Sequence, residues 1–234
     1  MIGDIGDWLT TAAHWRGSDG IPARLLEHLQ YSLLALAIGA VIAIPLGAWI
    51  GHTGRGAGLV AGLANALRAL PSLGLLILLA LWGLDHLPVS IALQTAAIVV
   101  LVLLAIPPLL TATYSGVAAV DPEVRNAAAG MGMRGPQVLW RVELGIALPL
   151  LFSGLRSAFL QVVATATIAA EVSLGGLGRF VLDGLAQQDY VTMASGAILV
   201  AVLAIAGDRV LALIGYLVTS PGLTGRRRRL PQFA

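Results

Sequence analysis

Leu29–Ile50 reads LQYSLLALAIGAVIAIPLGAWI, a run of 22 residues without one charged side chain. A helix that crosses a bilayer needs about 20 consecutive apolar residues. Backbone amides and carbonyls in hydrocarbon find partners only within a helix or a closed barrel, so a lone run of this kind is a transmembrane helix. Within it Ala35, Gly39, Ala43 and Gly47 recur every fourth residue. That small-residue stripe lets a second helix approach closely, a structural role.

Working outward, the same character returns four times. The apolar runs predict spans at Leu59–Leu84, interrupted by Arg68 and Pro71; at Ser90–Tyr114, which contains Pro107-Pro108; at Ile146–Ala170, which contains Arg156; and at Thr192–Thr219, which carries Asp208-Arg209. Glu171–Tyr190 is more polar and contains Gly175-Gly176-Leu177-Gly178. It is expected to be a re-entrant or surface hairpin, with a sixth span as the alternative. Residues 1–28 mix Trp8, Trp15, Ile21 and Leu25 with charges and are expected to lie at the outer interface. The expected organisation is an external segment over 1–28, a transmembrane domain over 29–218 and a basic tail over 219–234. The fold class is all-α and polytopic, with five membrane helices, or six if the hairpin spans.

Composition excludes most other classes. Of 234 residues 58% are hydrophobic and 11% charged, against about 25% charged in a soluble domain. Neither a water-soluble enzyme nor a disordered chain fits. There is no cysteine, hence no disulfide scaffold or thiol chemistry. There is no lysine either, so a phosphate-binding GxxxxGK[ST] loop cannot exist here and any ATP hydrolysis belongs to another polypeptide. His14, His28, His52 and His86 are dispersed without metal-ligand spacing, and no nucleophile, base and acid stand together. Neither an enzyme, a metal, a cofactor nor a nucleic acid is expected.

The 14 basic residues, all arginine, set the orientation. With five spans, one side collects Arg55, Arg125, Arg134, Arg141 and Arg226 to Arg229, the other Arg16, Arg24 and Arg179. The arginine-rich side is cytoplasmic. The N-terminus is then external, and the arginine tail rests at the inner leaflet near anionic lipid.

The longest internal polar stretch, Ala119–Gly145, lies on the cytoplasmic side. Asp121-Pro122-Glu123 is a helix start, with a capping side chain, a proline at the first turn and an acid near the positive end of the helix. Small residues follow at Asn126-Ala127-Ala128-Ala129, Gly130 and Gly132 loosen the chain, and Gly135-Pro136 restarts a helix. Such a helix suits a groove on a partner protein or an amphipathic connector at the membrane surface.

The run NAAAGMGMRGPQVLWRVELGIALP, from Asn126 to Pro149, resembles the cytoplasmic EAA loop of binding-protein-dependent ABC transporter permeases. More narrowly, Gly130-Met131-Gly132-Met133, Gln137, Leu139, Val142-Glu143-Leu144 and Ala147-Leu148-Pro149 resemble the permeases that take up glycine betaine, carnitine, choline or proline. Arg68-Ala69-Leu70-Pro71-Ser72-Leu73, Ile106-Pro107-Pro108, Gly154-Leu155-Arg156, Ala164-Thr165-Ala166-Thr167 and the Gly175 loop extend the likeness over about Leu29 to Leu217. Asn126 stands where the family has glutamate, and Gly145 where it has proline, which puts a charged contact from Asn126 in doubt and leaves Glu123 as a substitute.

The resemblance implies half of an importer pore in the cytoplasmic membrane. Its partners would be a second, identical or paralogous permease, a cytoplasmic ATPase dimer that binds the ATP, and an extracytoplasmic solute-binding protein. Glu123, Asn126, Ala127, Ala128, Gly132 and Met133 would form the ATPase-coupling site. Arg68, Pro71, Arg156, Thr165, Thr167 and Glu171 are the pore or gate candidates. For Arg68 the competing reading is snorkelling to the interface, for Arg156 interhelical bonding, for Glu171 an ordinary interfacial acid. Asp208-Arg209 are expected to neutralise each other. Aromatic residues form no visible cage for a quaternary ammonium, so selectivity is expected in the external receptor. A permease for methionine or another amino acid is the alternative. An ion-coupled secondary transporter ranks lower, since inverted repeats and an intramembrane acid pathway are not evident.

The arginine asymmetry predicts that a reporter fused after Arg229 reads as cytoplasmic and one placed before Ile21 as external. Paired alkaline phosphatase and fluorescent-protein fusions measure this, and termini on the same side would overturn the five-span topology.

Overall fold

The computed structural model describes residues 2–56, 58, 62, 66, 71–172, 175–220 and 222. Arg68, the arginine tail and most of the first half of the second expected span lie outside them. Among the described residues the chain is helical throughout, with no strand. Helix α1 covers Ile2–Thr10 and is followed by a 3₁₀ turn, Ala12–Trp15. Helix α2 covers Ile21–Thr53, α3 Ser72–Leu84 and α4 Val89–Ala118. The cytoplasmic stretch forms α5, Pro122–Gly130, and a four-residue α6, Gly135–Val138. A π-helical turn, Leu139–Glu143, joins α6 to α7, Leu144–Ala169. A 3₁₀ turn, Ala170–Val172, precedes α8, Gly178–Ala186, and α9, Tyr190–Val218.

Among the described residues four helical segments are long and apolar enough to cross a membrane: Ile21–Thr53, Val89–Ala118, Gly135–Val172 and Tyr190–Val218; Ser72–Leu84 is a shorter apolar helix. Pro71 stands at the cap of that short helix, as expected of a residue that cannot continue a preceding one. Helix α8 has nine residues, about 14 Å at 1.5 Å per residue, too short to cross. The polar segment is thus a hairpin lying on α9, not a further span.

The N-terminal boundary differs from expectation. The first long helix begins at Ile21, ahead of the uncharged run at Leu29, so residues 21–28 are continuous with it. Their charges are paired. Arg24 and Glu27 form an i,i+3 ion pair at 3.0 Å, and Glu27 Oε2 also accepts the Gly176 N–H at 2.8 Å. Residues 2–20 precede this helix, and Trp8 of α1 meets Phe180 of α8 edge to face at 5.4 Å.

Helix α4 is the central element, packed against α2, α3 and α7. Ala35, Leu101, Ala105, Leu109, Leu110, Phe159 and Val162 are buried together. The small-residue stripe of α2 faces α4: a Cβ at Gly39 would lie 2.9 Å from the Ala105 Cβ, and one at Gly47 2.9 Å from the Leu110 carbonyl oxygen. Against an adjoining face of α4, a Cβ at Gly154 of α7 would overlap the Ala112 Cβ and lie 2.9 Å from the Pro108 oxygen. Helix α9 lies outermost and exposes Val202, Ile205, Val210, Leu213 and Leu217. Asp189 caps it, accepting from the Thr192 hydroxyl at 2.6 Å and from the Val191 and Thr192 amides. The Thr192 hydroxyl, followed by its amide, holds this carboxyl below the usual carboxylate range.

The contact at Gly154 predicts that Gly154→Val destabilises the domain by about 1–3 kcal/mol through overpacking. Gly145→Ala, where an added Cβ meets nothing within 4 Å, should be neutral or stabilising. Thermal unfolding in detergent ranks the two variants.

Candidate functional site

The cytoplasmic end is built around α5. Asp121 Oδ1 accepts the Glu123 N–H at 2.8 Å, which satisfies one of the free amides of the first turn. The far end closes with two bonds, Gly132 N–H to the Ala129 carbonyl at 2.9 Å and Met133 N–H to the Ala128 carbonyl at 3.2 Å. This is the glycine-terminated stop of an α-helix, and it puts Gly132 at φ +85°. An added Cβ at Gly132 would meet nothing within 4 Å. Within the chain, then, the glycine is required by backbone conformation and not by crowding.

Of the six expected coupling residues, Glu123, Asn126, Ala127 and Gly132 are exposed and Met133 is half-buried. Ala128 points inward and is buried against the chain's own body. Met131 is 73% exposed and Trp140 61%. An apolar tip projecting this far from the rest of the protein is a surface suited to a partner.

Behind this tip lies a polar cluster that sequence reasoning missed. Glu143, in the π-helical turn, has no exposed surface. His52 Nδ1, from the last turn of α2, lies 2.7 Å from its Oε2. Arg125 Nε, from α5, lies 2.9 Å from its Oε1, an ion pair off the axis of a linear hydrogen bond. Arg125 Nη2 also donates to the Val117 carbonyl of α4 at 2.6 Å. Beside them Ala48, Val117, Leu139 and Ala147 form a small apolar core. Desolvating a carboxylate here costs several kcal/mol, which only close partners offset; removing one partner of a buried pair typically costs about 3–5 kcal/mol. One sequence signal was present: an acid next to an apolar span is expensive and needs a reason.

The outer end carries a second feature. The end of α7, α3 and α8 enclose an open cleft of about 380 Å³ lined by Leu73, Ile77, Thr167, Ile168 and Glu171 among others. The walls are apolar and Glu171 supplies one carboxylate. Thr167 and Glu171 are brought together here, whereas Thr165 faces a narrow gap against α3 and α4. Pro71 caps α3 two residues before Leu73. Arg156 is elsewhere: its Nε and Nη2 donate to the two carboxylate oxygens of Asp208 at 2.7 and 2.8 Å, a bidentate tie between α7 and α9. Asp208 therefore pairs across helices with Arg156, and its expected neutralisation by the adjacent Arg209 is not the arrangement observed. Among the described residues no group of three or more His, Asp or Glu side chains could hold a metal ion.

The family described as "Binding-protein-dependent transport system inner membrane component" matches residues 43–219. The glycine betaine/carnitine/choline transport system permease protein OpuCB of Bacillus subtilis is 34% identical over 202 residues, 86% of this chain and 89% of that one. The choline transport system permease protein OpuBB of the same organism is 32% identical over 84% of this chain and 88% of its own. Among solved structures, an inward-facing MetNI methionine ABC transporter superposes with a TM-score of 0.72 at 23% identity, covering 86% of this chain and 96% of that one.

The Arg156–Asp208 tie predicts an ordering of stabilities. Asp208→Leu strands the guanidinium within the membrane and should lower the melting temperature in detergent more than the double change Arg156→Leu/Asp208→Leu, which removes both charges.

Proposed function

Since the chain belongs to the family of binding-protein-dependent transport system inner membrane components, we propose that it is the permease of an importer for osmoprotectants such as glycine betaine, choline, carnitine or proline. It is a membrane-embedded transport subunit and not an enzyme. The observation that carries the cargo is that relatives aligned over most of their own length are named for glycine betaine, carnitine and choline. The methionine transporter shares the fold at lower identity, and nothing in the cleft favours an amino-acid cargo over a methylated cation.

The cleft supports the same reading. A quaternary ammonium is large, weakly hydrated and cationic, so apolar walls and one acid accommodate it without a cage. Glu171 attracts the cation at the outer mouth, and Thr167 lies beside it. With few aromatic side chains to grip the methyl groups, the permease passes the solute on, and recognition rests with an extracytoplasmic binding protein. The N-terminus faces outward and the arginine tail inward.

The power stroke comes from a cytoplasmic ATPase dimer, since this chain has no lysine for a phosphate-binding loop. A second permease, identical or paralogous, completes the pore. Helix α5 seats in the ATPase groove through Glu123, Asn126 and Ala127, with Met131 and Met133 as apolar contacts. Ala128 supports the helix from within.

The test is uptake by proteoliposomes holding the permease with its cognate ATPase and binding protein. Radiolabelled glycine betaine or choline should accumulate with ATP and methionine should not; the reverse pattern would overturn the cargo. In the same assay Gly132→Asp should insert normally but uncouple hydrolysis from uptake, because it strains a φ of +85° and adds a charge at the groove.

A further inference from the structure

The buried cluster behind α5 has more partners than holding one helix in place requires. Glu143 belongs to the turn that leads into α7, His52 to the end of α2 and Arg125 to α5. Three elements that are distant in sequence share one carboxylate. Arg125 adds a fourth through the Val117 carbonyl at the end of α4. We propose that Glu143 is the positioning residue that transmits movement of α5 into the membrane, clamping Arg125 and His52 so that α5, the inner end of α2 and the start of α7 move as one body. This rests on the assignment of α5 as the ATPase-docking helix.

The physical argument is one of unequal costs. If α5 moved alone, Arg125 would leave a fully buried carboxylate with His52 as its remaining close partner. If the three elements move together, the ion pair and the imidazole contact survive unchanged. The cheaper path is the concerted one. The π-helical turn fits this role. The Leu144 N–H reaches the Leu139 carbonyl across five residues, and this widened turn brings Glu143 to face α2 and α5. Wide turns of this kind are frequent at functional positions in helices. Further along the same rod, Arg156 grips Asp208, so a displacement received at Glu143 continues through α7 to α9.

A packing role and a transmission role separate in one ratio, cargo transported per ATP hydrolysed. Loss of packing lowers both rates together, in proportion to the folded fraction. Loss of transmission lowers the ratio. In proteoliposomes with the ATPase and binding protein, using glycine betaine as cargo, Glu143→Gln and Arg125→Ala should each lower the ratio about tenfold. Arg125→Lys, which keeps a cation within reach, should largely restore it. The absence of native cysteine in the chain allows a second measurement. Arg125→Cys/Glu143→Cys should show the low ratio when reduced, recover it when bridged by a short bifunctional methanethiosulfonate, and lose it again on reduction. Ratios unchanged in Glu143→Gln and in the reduced cysteine pair would overturn the proposal and leave the α5 assignment intact. An unmodified assembly that neither transports nor retains the ATPase would overturn both.

Discussion

Helices in lipid gain nothing by hiding apolar surface from hydrocarbon, so close contact must hold them together. In this protein the contact is made where side chains are missing. Gly39 and Gly47 let α2 settle onto α4, and Gly154 lets α7 settle onto α4 beside it. Everything else is placed by that three-helix core. Helix α3 leans on α4, α9 leans on α7, and α8 lies along α9. The outermost helix is correspondingly apolar on its open face.

Polar ties then fix what close packing leaves free to slide. At the outer end Glu27 holds the Gly176 backbone, and His28 Nε2 donates to the Val163 carbonyl at 3.1 Å. Within the membrane Arg156 holds Asp208, and at the inner end Glu143 holds His52 and Arg125. Each tie joins residues far apart in the chain, and the Glu27, Arg156 and Glu143 ties give a charged group a partner that offsets its desolvation. The inner tie centres on a carboxylate with no exposed surface and lies nearest α5, the helix proposed to dock the ATPase.

Much of this was legible in the sequence because lipid imposes a simple rule. Uncharged runs became helices, and the fourfold recurrence of small residues in α2 marked its contact face. The start of α5 was readable from Asp121-Pro122-Glu123 and its end from Gly132, since capping chemistry is local. The early start of α2 was hidden by Arg24, Glu27 and His28, whose charge or polarity argued for the interface; their partners in the Gly176 loop and in α7 cannot be seen without the fold. The same is true of the cluster at Glu143 and of Asp208, which chose an arginine 52 residues away over its neighbour. Long-range pairing of polar groups depends on how helices pack, and periodicity carries no record of it. Arg68 and the arginine tail lie outside the described residues.

The length of α2 has a consequence for the membrane that surrounds it. Glu27 and His52 stand at opposite ends of one unbroken helix, about 38 Å apart along its axis at 1.5 Å per residue. A bilayer has a hydrocarbon layer about 30 Å thick, or about 40–45 Å with headgroups. Upright in such a bilayer, the helix places both its charged clasps in the headgroup layers, where water is within reach. In a markedly thicker membrane one clasp would be drawn into hydrocarbon. The helix therefore works as a ruler, and lipid chain length is a variable to which this protein is mechanically exposed.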